Sequence, residues 1–125
     1  MSEKITVSSL PKTYILDLDG TIVKHNGYKL DGHDTLLAGS TAFLSHIQEE
    51  DMVIIVTSRT QECAQSTEAF LAEQGIRYHS IIYGAPYGER ILVNDRKVSG
   101  LSTAIAINID RDEGIHSEIS IDPAL

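Results

Sequence analysis

Cysteine is nearly absent from this 125-residue chain. Cys63 stands alone, which rules out an internal disulfide framework and suits a reducing cytoplasm, the expected location. No apolar run approaches the ~20 residues that a bilayer-spanning helix needs, so no membrane partner is expected. The opening stretch MSEKITVSSLPK lacks the apolar core of a signal peptide. Lys and Arg form no dense run and the formal net charge is −8, which argues against nucleic-acid binding driven by phosphate neutralisation. The five histidines, His25, His33, His46, His79 and His116, show no metal-ligand spacing such as HxxxH. Internal repeats and low-complexity linkers are missing too.

What remains is an ordinary globular composition, 42% hydrophobic and 22% charged. The length holds one real core and is short for two, so residues 1–125 read as a single domain. Strand-like apolar runs occur at 13–18, 52–57, 80–83, 90–94 and 104–109. Between them, 40–50 carries Phe43, Leu44 and Ile47 at helical spacing with Ser40 placed to cap it. A second helix is expected over 60–74, with Ala64, Thr67, Phe70 and Leu71 inward and Gly75 as its stop. This alternation predicts an α/β fold: a parallel sheet between helical layers, three layers in all and Rossmann-like. Asn26-Gly27 is a hairpin signal and predicts a small β-flap over 23–30. The polar tail predicts a short edge strand at 118–121.

In open α/β sheets the reactive crevice lies at the carboxyl ends of the strands. The first run ends in Asp17-Leu18-Asp19-Gly20-Thr21, the second in Thr57-Ser58-Arg59, and the fourth in Asn94-Asp95-Arg96-Lys97. Carboxylates converging on one rim are costly unless a hard cation neutralises them. Oxygen donors of this kind suit Mg²⁺, which keeps waters and accepts a substrate phosphate oxygen.

DLDGT after an apolar strand, followed by VIIVTSR and then ILVNDRK, resembles the haloacid dehalogenase superfamily of aspartate-nucleophile phosphohydrolases. The resemblance runs from residue 14 to 109, with the motifs in the family's order. It implies a Mg²⁺-dependent phosphatase in which Asp17 attacks phosphorus and ligates the metal. Asp19 would serve as acid and then base, its backbone carbonyl on the metal. Gly20 and Thr21 would shape the turn beneath the phosphate. Thr57 and the Ser58 N–H would hold phosphoryl oxygens, and Asp95, beside Asn94, would hold Mg²⁺. The resemblance further implies a lysine near the nucleophile. The GAPYG turn offers only Ala85, so Lys97 is the expected source of that charge, with Arg59 and Arg90 directed toward substrate.

The intervals between motifs leave room for a flap and single helices but not for a cap domain. An open site of this kind suits a large substrate, or shielding by a second copy in a homo-oligomer. The substrate class implied is a phosphorylated sugar, nucleotide or glycan intermediate. Neutral Asn94 and Ala85 motivate an alternative, a catalytically weak phospho-ligand or partner-binding domain that keeps the fold. A receiver-type signalling domain fits less well, since the run at 80–83 ends in Tyr83-Gly84 rather than in an aspartate.

Overall fold

The runs TYIL, MVIIV and SII, rich in β-branched residues, each form a strand, because such side chains fit a pleated, half-buried surface. The structure, a computed structural model, describes residues 3–125. Its elements are β1 (Lys4–Val7), β2 (Thr13–Leu16), α1 (Gly27–Leu30), α2 (Ser40–Leu44), β3 (Met52–Val56), a 3₁₀ turn (Gln61–Cys63), α3 (Ala64–Glu73), β4 (Ser80–Ile82) and β5 (Glu118–Ile121). β2, β3 and β4 form a parallel three-stranded sheet in that order, with Tyr14 opposite Val53 and Leu16 opposite Ile55. A separate parallel pair joins β1 to β5. The fold is therefore α/β with two parallel sheets, α2 and α3 lying in the connections that parallel pairing requires. Among the described residues, no helix is long and apolar enough to cross a membrane.

The core is assembled from Leu16 and Leu18 after β2, Ile22 and Val23 in the following turn, Phe43 on α2, Val53 and Ile55 on β3, Leu71 on α3, and Ile115. One close approach fixes the geometry behind the site. Gly39 and Gly114 both have positive φ, 83° and 88°, and the chain segments they belong to touch. A Cβ on Gly39 would fall on the Ile115 carbonyl oxygen, and one on Gly114 would fall on the Ala38 carbonyl oxygen.

Several expected elements take other forms. The 23–30 segment is not a β-flap. Asn26 adopts a left-handed conformation, φ 56°, and opens the one-turn helix α1 instead of a hairpin, and only isolated bridges join Val23 to Asp19 and Leu36. The helix expected over 40–50 closes at Leu44, and Gly39 rather than Ser40 is its cap. Ser40 instead turns inward, its hydroxyl donating to the Ile22 carbonyl at 2.7 Å.

The run at 90–94 is not a strand. Ile91 and Val93 are 87% and 89% exposed, so no apolar layer draws the segment onto a sheet. The residues after it satisfy one another locally, with Lys97 N–H donating to the Leu101 carbonyl and the Thr103 hydroxyl donating to the Asp95 carbonyl. The 104–109 run forms no strand either, although Ile107 and Ile109 lean on the core. In the other direction, β1 went unread in the sequence, while the tail strand lies at Glu118–Ile121 as expected.

Candidate active site

The turn leaving β2 carries the first two acids. Gly20, at φ 84°, lets the chain double back, and the N–H groups of Thr21, Ile22 and Val23 all donate to the Leu18 carbonyl. Asp17 is left at the surface with its side chain 37% exposed. Its Oδ2 accepts from the Thr21 hydroxyl at 2.8 Å, and its Oδ1 accepts from Arg90 Nη1 at 2.9 Å. Arg90 is equally open, at 38%. An ion pair this exposed is worth about 0–1 kcal/mol, so an incoming anion can take over the guanidinium at little cost.

Asp19 pairs with a buried arginine and is itself 17% exposed. Arg59, at the end of β3, is 4% exposed. Its Nε donates to Asp19 Oδ2 at 2.9 Å and its Nη2 to Asp19 Oδ1 at 2.8 Å. Asp34 Oδ1 and Oδ2 accept from Nη2 and Nη1 at 2.6 and 3.1 Å, and Thr67 Oγ1 on α3 accepts from Nη1 at 2.9 Å. The Tyr28 ring covers the guanidinium face, 4.0 Å from Cζ to the centroid. Burial alone would lower the pKa of Arg59, but the hydrogen bonds it donates to Asp19 and Asp34 outweigh burial and raise the value above that of a free arginine.

Thr57 is buried, and its hydroxyl oxygen accepts from the Arg59 N–H at 3.1 Å. That leaves the hydroxyl hydrogen for another acceptor. The Ser58 N–H beside it has no carbonyl partner among the described residues. Arg111 lies over the same turn, its Cγ 3.1 Å from where a Cβ on Gly20 would stand.

The structure thus brings together Asp17, Thr21 and Arg90 around the buried Gly20, with Asp19 and Arg59 behind them and Thr57 and Ser58 on the neighbouring strand end. Asn94, Asp95 and Lys97 are not joined to them. They occupy the exposed 94–103 segment, where Asn94 Nδ2 donates to Thr103 Oγ1 at 2.9 Å, and no hydrogen bond or ion pair among the described residues links them to Asp17 or Asp19. Among the described residues, no three His, Cys, Asp or Glu side chains gather into a set that could hold a metal. The Asp17 carboxylate nevertheless fits a Mg²⁺ ion held mainly by waters and a substrate phosphate, since its two oxygens offer about four lone-pair directions and the structure uses two.

Asp34 escaped the sequence reading. Its only signal is indirect: a buried arginine needs acceptors for all five of its N–H donors, and the sequence does not say which residues supply them. Arg59, expected to face substrate, faces inward. No family model matches the chain, and no curated protein or solved structure matches it.

Proposed function

We propose that the chain is a phosphomonoester hydrolase of the Rossmann-like, haloacid-dehalogenase type, working in the cytoplasm on a phosphorylated sugar, nucleotide or glycan intermediate. The observation that carries this reading is the environment of Asp17. A half-exposed carboxylate stands at the carboxyl end of a parallel strand, with an arginine 2.9 Å away and ready to exchange one anion for another. An Asp17 oxygen attacks phosphorus and the bond from phosphorus to the leaving oxygen breaks, giving an aspartyl-phosphate and an alcohol that takes its proton from Asp19. Water, deprotonated by Asp19, then attacks the same phosphorus. The bond to Asp17 breaks, and inorganic phosphate leaves.

Arg90 supplies the fixed positive charge beside the equatorial oxygens, in the role expected of Lys97. The Thr57 hydroxyl and the Ser58 N–H donate to the phosphoryl group. Mg²⁺, when bound, would be held by the Asp17 carboxylate and the Asp19 carbonyl, and would neutralise the phosphate. Arg59 occupies one lone pair on each Asp19 oxygen and leaves the others open.

That same bidentate hold favours a second reading, a phospho-ligand or partner-binding domain with weak turnover. A screen of phosphorylated sugars, nucleotides and aryl phosphates with Mg²⁺ separates the two. Release of phosphate over many turnovers supports the hydrolase, whereas saturable binding of the same compounds without release supports the binding domain.

A further inference from the structure

We infer that Arg59 is a positioning residue which ties the 23–36 loop to Asp19, so that the loop and the acid–base carboxylate hold their places as one unit. An arginine that ends a strand at the reactive edge would ordinarily be read as a substrate contact. This one has nothing left to offer a substrate. A guanidinium carries five N–H donors, and all five are spent, two on Asp19, two on Asp34 and one on Thr67. Its rigid planar fork fixes the two carboxylates relative to each other, which a lysine's single ammonium would not do.

One carboxylate precedes the loop and the other lies within it. Asp19 belongs to the turn after β2, and Asp34 to the returning arm. Within the loop, α1 is a single turn, too short to be stable alone. Tyr28, the second residue of α1, rests on the guanidinium face. The loop's remaining hydrogen bonds to the body gather near its start: Val23 N–H to the Leu18 carbonyl at 3.1 Å, Gly20 N–H to the Val23 carbonyl at 2.7 Å, and His25 N–H to Asp112 Oδ1 at 2.7 Å. Val23 and Leu36 hold the two ends of the loop against the core, and the Arg59 cluster is the buried polar attachment between them. Loss of Asp19 or of the fork should loosen the loop, and a change in the loop at Asp34 should reach Asp19.

The first arm of the test needs no substrate and stands whether or not the hydrolase reading holds. Amide hydrogen exchange is followed in the wild type, in Asp19→Asn and in Arg59→Lys, at the loop amides of Lys24 and Asp31 and at the sheet-edge amides of Thr57 and His79. We expect exchange at Lys24 and Asp31 to quicken by about tenfold or more in both variants, with Thr57 and His79 within about threefold of wild type. Unchanged loop exchange overturns the inference. So does uniform acceleration at all four amides, which would make the cluster a general stabiliser.

The second arm rests on the hydrolase reading. Asp34→Asn, which alters neither Asp17 nor any phosphoryl contact, should lower kcat on an aryl phosphate about tenfold with KM within about threefold, through misplacement of Asp19. A change confined to KM overturns the coupling to Asp19. If the wild type hydrolyses nothing, the hydrolase reading fails and the exchange arm alone decides the inference.

Discussion

Arg90 donates from Nη1 to Asp17 Oδ1 at 2.9 Å, joining residues 73 positions apart in the chain. The nearest fixed positive charge to the proposed nucleophile therefore comes from the segment after β4. Lys97, which the motif spacing favoured, makes no side-chain hydrogen bond or ion pair among the described residues.

The two cations should accordingly separate in kinetics. Arg90→Ala is expected to lower kcat/KM on an aryl phosphate by on the order of 10², comparable to removing one transition-state donor. Lys97→Ala should change it by less than about threefold, as expected for a solvated surface charge. Steady-state rates of the two variants side by side check this, and the reverse ranking would return the role to Lys97.

The approach of Gly39 to Ile115 makes a prediction about stability. Gly39→Ala places a methyl group on the Ile115 carbonyl oxygen at a backbone φ of 83°, and should cost about 2–4 kcal/mol from left-handed strain and overpacking together. Gly88 has open space around it and no positive φ, so Gly88→Ala should stay within about 0.5 kcal/mol of wild type. Urea unfolding midpoints of the two variants provide the comparison.

Tyrosine ionisation gives a pH dependence with a definite sign. Burial, with Asp51 nearby, raises the Tyr14 hydroxyl above its ordinary 10.0. Burial followed by the charge of Cys63 does so for Tyr28, burial followed by Glu68 for Tyr78, and burial followed by the hydrogen bond to Glu68 for Tyr83. The folded chain thus holds these protons more tightly than the unfolded one. The associated stability is complete below about pH 10 and is lost as pH rises through the raised values. Absorbance at the phenolate band should rise later in the folded protein than in the same protein in denaturant. Coincident titration curves would contradict the assigned burial.

What the sequence disclosed, and what it concealed, follows from the range of the forces involved. TYIL before Asp17 and MVIIV before Thr57 are continuous apolar runs of the kind a covered parallel strand requires, so the strands and the residues they deliver were readable. Thr67 and Leu71 faced inward on α3 as their spacing indicated, and Gly75 ended the helix at φ 68°. The failures lie where partners are distant. Arg59 meets Asp19 across 40 positions and Asp34 across 25, and no local pattern encodes either pairing. Ile91, Leu92 and Val93 have strand composition, but strand formation needs a neighbouring edge and a covering layer, and neither engages them. Asn26-Gly27 carries a hairpin signal that also permits a helix start, since a left-handed Asn serves both.

The central claim is that Asp17 accepts a phosphoryl group, and the most direct measurement is phosphate release from an aryl phosphate by the wild type and by Asp17→Asn, each with Mg²⁺. An amide at this position neither attacks phosphorus nor carries the charge that pairs with Arg90. The account predicts turnover in the wild type and a loss on the order of 10³ or more in the variant, with the variant's circular dichroism unchanged. Equal rates in the two proteins would contradict it.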